Sequence, residues 1–170
     1  MSNYAIAMVL SFITACFTLA SSWTKDPHRT YWYQVGQCLV YAGAAYFLGV
    51  YPCIIMMLIN AWRNYLIAVD KYKASYCFVF SILALVLGLW TNTSGVVGLL
   101  TIFATIQYSI CSYYLKSDIT VKINVAVNLL IWFCYDVLVR DIFSGTMDSI
   151  SALLAIITIW RIIRDRKNMI

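Results

Sequence analysis

The sequence predicts an all-α polytopic membrane protein of seven transmembrane helices, and three observations predict it. Of 170 residues, 63% are apolar and 11% charged, with a mean hydropathy of +0.81; soluble domains run about 45–50% apolar and about 25% charged. Charge-free stretches recur at bilayer length, where a helix needs about 20 residues. Lysine and arginine then fall almost wholly on one side of the resulting topology. This composition excludes an ordinary soluble domain and a disordered tail. The net charge of +5 does not make a nucleic-acid surface, because the basic residues are few and scattered.

Met1 to Thr24 is charge-free and makes the first span, Tyr4–Trp23. It lacks a basic leader region, so it reads as a permanent helix rather than a cleaved signal. Thr30 to Trp62 is too long for one helix and divides at Gly49-Val50-Tyr51-Pro52, where glycine and proline punctuate. That gives Tyr31–Leu48 and Pro52–Val69. Ala74 to Leu115 holds two spans, Tyr76–Trp90 and Gly95–Leu115, separated by the turn Thr91-Asn92-Thr93-Ser94-Gly95. Thr120–Val139 and Ser144–Ile163 complete the seven.

Orientation follows from charge, because cytoplasmic loops carry the excess of Lys and Arg. The loops after spans one, three and five, with the C-terminus, collect Lys25, Arg29, Arg63, Lys71, Lys73, Lys116, Lys122, Arg161, Arg164, Arg166 and Lys167. The other side holds Arg140 alone. The N-terminus is expected outside and the C-terminus in the cytoplasm.

The chain repeats at two offsets. At 91 residues, Phe12 meets Phe103, Thr14 meets Thr105, Ser21 meets Ser112, Lys25 meets Lys116, Gln37 meets Asn128 and Tyr41 meets Trp132. At 98 residues, Asn60 meets Thr158 and Trp62-Arg63 meets Trp160-Arg161. Spans one to three thus match spans five to seven in the same orientation, a parallel repeat with one helix between. The predicted organisation is a three-helix bundle over 1–73, a linker helix and turn over 74–94, and a second three-helix bundle over 95–170. The fourth span has almost no polar side chain beyond Ser81 and is expected to face lipid.

A three-plus-one-plus-three arrangement with an outside N-terminus resembles the SWEET/PQ-loop superfamily of small-solute transporters, and PnuC-like nicotinamide riboside transporters are similar. Closer still, Leu58-Ile59-Asn60-Ala61-Trp62-Arg63 after a Gly-x-x-Pro turn, and Gly145-Thr146-Met147 ahead of an Arg-ended last helix, resemble the bacterial inner-membrane family YgjV. The first resemblance implies alternating access between two bundles in a plasma (inner) membrane. The chain has no Pro-Gln dipeptide and no proline within spans one or five. The YgjV resemblance brings no activity with it.

Polar residues inside the spans fall on faces. Gln34, Gln37 and Tyr41 share one side of span two, and Asn124, Asn128, Trp132 and Asp136 one side of span six. Cys53, Met56, Asn60 and Arg63 share a face of span three; Ser151, Leu154, Thr158 and Arg161 share the matching face of span seven. Polar side chains in hydrocarbon are costly and turn inward, to partners or to a water-filled path. The expected solute contacts are Gln37, Tyr41, Asn60, Asn128, Trp132 and Thr158. Amides offer donor and acceptor, and the two rings offer flat apolar area. That chemistry suits a small neutral polar solute, such as a sugar, nucleoside or vitamin. The alternative is helix–helix hydrogen bonding with no path.

Arg63, Asp136 and Arg161 are expected gate or ion-pair residues. Arg63 lies about 16 Å along its helix from Pro52 at ~1.5 Å per residue, past the midplane. It either snorkels to headgroups or closes an inner gate. Asp136, read as the only acid well inside a span, either pairs with Arg140 at i+4 or couples transport to protons. The pairing reading leaves facilitated diffusion. The six cysteines show no CxxC spacing and His28 is the only histidine, so no metal, cofactor or catalytic set is expected and the chain does not read as an enzyme. The expected partners are a solute and the lipid bilayer, with a homo-oligomer possible; the second class of function is a non-transporting assembly partner or regulator.

Overall fold

The computed structural model describes residues 3–49, 51–92 and 95–168. Seven helices run through them: α1 (Asn3–Trp23), α2 (Pro27–Leu48), α3 (Tyr51–Ala68), α4 (Ala74–Thr91), α5 (Gly95–Tyr114), α6 (Asp118–Val139) and α7 (Ile142–Lys167). Each expected span has its helix. Val50 of one expected break, and Thr93 and Ser94 of the other, lie outside the described residues.

Capping explains boundaries that hydropathy does not. Asp26 caps α2, its side chain accepting from the His28 N–H at 2.9 Å with Pro27 in the first turn. Ser117 caps α6 through the Thr120 N–H at 3.3 Å, and Asp141 caps α7 through the Ser144 N–H at 3.1 Å. α2 therefore starts four residues before the expected span, and α6 and α7 two before. Gly49 ends α2 in the left-handed region (φ 73°), where glycine carries no Cβ penalty.

Five helices, α1, α4, α5, α6 and α7, are long and apolar enough to cross a membrane. α2 is more polar, and the apolar stretch of α3, Cys53–Ala68, is shorter. Helices adjacent in sequence pack side by side, and α1 also meets α7. The contacts rely on small residues: Ala7, Ala15, Ala42, Ala44, Ala45, Ala152 and Ala155 are all buried. Small side chains let helix backbones approach closely where lipid leaves no hydrophobic force between helices. Tyr31, Tyr108, Val121, Val125 and Leu129 fill the space they leave.

α4 buries only Phe80 and Ala84, while Trp90 is 81% exposed. Its bare apolar surface is what a lipid-facing helix presents. The loops after α1, α3 and α5, together with the end of α7, define a basic end of the molecule. Ion pairs across it include Lys25 with Asp165, and Arg166 with Asp118.

Candidate functional site

A buried polar assembly lies where α2, α3 and α5 meet. Arg63 is 5% exposed. Its Nη1 donates to Ser109 Oγ at 3.0 Å and to the Thr105 carbonyl at 3.4 Å; its Nε and Nη2 donate to Asn64 Oδ1, each at 3.3 Å. The guanidinium stands 4.9 Å from the centre of the Tyr108 ring. Tyr108 in turn donates its hydroxyl to Gln34 Oε1 at 2.7 Å. A buried cation here has no carboxylate, so oxygens and a ring face carry the compensation. Arg63 does not snorkel to the surface.

The expected solute contacts divide around this assembly. Asn60 sits one turn from Arg63 on α3 and is buried, its Oδ1 with no hydrogen-bond partner. Gln37 sits one turn from Gln34 on α2 and is half-buried. Tyr41, a further turn along, is 38% exposed. These three lie on the side of Arg63 away from the basic end.

Other expected residues are placed elsewhere. Asn128 donates to the Ala104 carbonyl at 2.8 Å, joining α6 to α5. Trp132 is half-buried and packs edge-on to Tyr135, ring centres 5.8 Å apart. Thr158 and Arg161 both donate to the Trp23 carbonyl, at 3.3 and 3.4 Å, and Arg161 stacks 4.0 Å over the Trp23 ring. Arg63 and Arg161 match in the repeat, yet one enters the interior and the other joins α7 to the end of α1.

The expected Asp136–Arg140 pair is not formed. Arg140 ends α6 in the left-handed conformation (φ 62°) and is exposed, while Asp136 is 5% exposed and its Oδ2 has no partner. The αL cap swings Arg140 out of the helical i+4 position that pairing needs. The reading of Asp136 as the only acid inside a span also changes, because Asp148, half-buried, lies in the second turn of α7.

Several interior polar groups escape the hydropathy reading. Lys122, counted as a loop charge, is fully buried; it donates to Thr30 Oγ1 at 2.7 Å and to the Ser21 carbonyl, joining α6 to α1 and α2. Gln107 donates to Asn124 Oδ1 at 2.8 Å, and Asn124 to Ser112 Oγ at 3.1 Å. The signal for these was Gln107-Tyr108-Ser109, a polar run inside a charge-free span. A cavity of about 120 Å³ opens nearby at the basic end, lined by Tyr31, Ser112, His28, Asp70, Tyr72 and Lys116 among others. The buried Tyr31 hydroxyl has no hydrogen-bond partner. None of the six expected solute contacts lines this cavity.

Outside the spans, His28 is held above its ordinary value of 6.5, first by donation to the Ala68 carbonyl at 3.0 Å; burial opposes this, and Asp70 and Asp26 add smaller upward effects.

Helical hairpins with apolar outward faces and polar side chains turned inward define a polytopic α-helical membrane protein. Its family follows from comparison: residues 5–166 match Imp-YgjV, described as a bacterial inner membrane protein. The chain belongs to this family. No curated protein and no solved structure matches it.

Proposed function

We propose that the chain is a carrier for a small neutral polar solute, working by alternating access between the halves 1–73 and 95–170 with 74–94 as linker. All seven helices span the membrane in this reading, with the N-terminus outside and the basic end in the cytoplasm. It assigns no catalysis.

The observation that carries it is the tie of Arg63 to Ser109 and Thr105, which crosses from one half to the other. Beyond it, Asn60 presents a buried carbonyl oxygen with no partner, with Gln37 one turn from Gln34 on α2. Arg63 and Tyr108 then act as the inner barrier, and Asn60, Gln37 and Tyr41 meet the solute above it. Several matched residues of the two halves, though not Arg63 and Arg161, also share their environments: Trp62 and Trp160 are 65% and 58% exposed, and Ser21 and Ser112 are both buried. That symmetry supports the resemblance to SWEET/PQ-loop and PnuC-like carriers. Facilitated diffusion is the simplest form of such a carrier; Asp136 is the residue on which a coupled form depends.

The second reading, a non-transporting assembly partner or regulator, draws on Asn128, Thr158 and Arg161. All three are engaged with main-chain carbonyls of neighbouring helices.

Thermal stability of the purified protein against sugars, nucleosides, vitamins and nucleobases separates the two. A ligand at a hundred times its dissociation constant stabilises by about 2.7 kcal/mol. A shift with one compound class, lost in Asn60→Ala and kept in Thr158→Ala, supports the carrier and names its solute class. A shift that survives Asn60→Ala and Gln37→Ala overturns the site.

A further inference from the structure

Asp136 and Asp148 carry a relationship that the carrier reading does not use. Asp136 lies on α6, one turn from the end opposite the basic end. α7 passes it closely because Gly145 leaves room: a Cβ at that position would stand 3.3 Å from the Asp136 Cβ. Asp148 is three residues further along α7 and so shares that face. It lies within electrostatic reach of Asp136. Neither carboxylate has a cation. Asp136 Oδ2 is buried with no donor, and among the described residues no hydrogen bond or ion pair reaches Asp148.

The surroundings offer no other compensation. Ahead of α7, Asp141 accepts from Ser144 as its cap and adds a negative charge that reaches both acids. On α2, Tyr41 is within electrostatic reach of Asp136 and Asp141, with Cys53 of α3 beside it. On α6 itself, Tyr135 is adjacent and Arg140 turns away. α5 and α1, which also pack on α6, carry no charged residue. Two carboxylates within electrostatic reach of each other, one of them buried with an oxygen that no donor meets, lack one hydrogen.

We propose that Asp136 and Asp148 form a proton-binding site at the end of the molecule away from the basic end. One proton shared between the two carboxyl groups supplies the missing donor and takes their joint charge from −2 to −1. A like-charged carboxylate pair sharing one proton is a known chemical solution to this arrangement. If the chain is a carrier, as argued above, this site links solute movement to a proton entering from outside; that link rests on the carrier reading, and the proton site itself does not.

Infrared difference spectroscopy of the protein reconstituted in liposomes tests it without a solute. Spectra are compared between alkaline buffer and buffer still well above the ordinary aspartate range of about 3.9. The wild type is expected to gain the C=O stretch of a protonated carboxyl group. Asp136→Asn and Asp148→Asn, both near-isosteric, should each remove it, while Asp118→Asn at the basic end leaves it. A wild type without the band, or a band that persists in both variants, overturns the site. Carboxylate changes that follow sodium chloride at constant pH, with no response to pH, assign a metal cation and overturn the proton. Failure of the solute panel with the band present would fault the carrier reading alone.

Discussion

Arg63 of α3 donates to Ser109 of α5 across 3.0 Å, and among the described residues no carboxylate pairs with it. The pair joins residues 46 apart in sequence, and both side chains are buried. Hydrogen bonds to charged groups contribute about 1.5–3 kcal/mol each. Arg63→Ala removes the donor from Asn64, Ser109 and Thr105 together and leaves a cavity, so a loss of about 2–4 kcal/mol is expected. Arg63→Lys keeps the charge but gathers its donors on one atom, which cannot reach three partners in the guanidinium's fork. Its loss should be smaller but measurable. Thermal unfolding in detergent checks both against Arg164→Ala at the exposed end of α7. Equal midpoints in all three would mean that the cross-helix tie is not made.

Lys122 is the other interior cation. It is fully buried and joins α6 to Thr30 of α2 and Ser21 of α1. Lys122→Ala deletes three methylenes, the ammonium and both hydrogen bonds, so about 2–4 kcal/mol of destabilisation is expected. Lys122→Met keeps most of the volume and removes a charge that is expensive to desolvate. The expected order of midpoints is wild type or Lys122→Met first, with Lys122→Ala clearly lowest. A Lys122→Met midpoint as low as that of Lys122→Ala would show that the ammonium's hydrogen bonds outweigh its desolvation.

These two cations mark how far the sequence could be read. Spans were legible because charge-free runs of bilayer length leave few alternatives, and each matches a helix within about four residues at either end. The starts missed by most, at Pro27, Asp118 and Ile142, are set by Asp26, Ser117 and Asp141, polar caps invisible to a hydropathy window. Arg63, Asn60 and Gln37 were legible as faces, since i, i+3 and i+4 spacing puts them on one side of a helix. What periodicity cannot supply is the partner across the interface. Asn128 and Thr158 point inward as expected, but towards the carbonyls of Ala104 and Trp23. Arg140 failed as a partner of Asp136 because the i+4 rule holds only while the helix continues, and α6 ends there in a left-handed turn.

His28 gives a pH dependence whose sign follows from its contacts. Donation to Ala68 at the end of α3 comes first, and Asp70 and Asp26 add to it. The folded-state value lies above the unfolded value near 6.5. The contribution is therefore complete below that value and declines as pH rises through the folded value. The side chain is 54% exposed, so the effect is small and screened by salt. Midpoints of the wild type are expected to fall towards alkaline pH more steeply than those of His28→Gln, with the difference shrinking at high ionic strength. Parallel pH profiles for the two proteins would rule out the α2–α3 latch.

Gly88 sets how closely α4 approaches α5. A Cβ there would stand 2.5 Å from Ile102 Cγ1, a methylene next to the Cβ branch of a buried side chain, which cannot swing aside as a chain end would. Alanine within a helix is favoured over glycine by roughly 0.5–1 kcal/mol, which pulls towards stabilisation. Overpacking pulls the other way by about 1–3 kcal/mol. The clash is the larger, and Gly88→Ala is expected to lower the midpoint. Ile102→Ala should lower it as well, by opening a cavity. In the double variant the new methyl occupies part of that cavity, so the two losses should combine to less than their sum. Contacting residues depart from additivity by about 0.5–3 kcal/mol, a range that midpoint measurements resolve. Strict additivity would place α4 farther from α5 than the glycine requires, and the exposed face of α4 would then need another account.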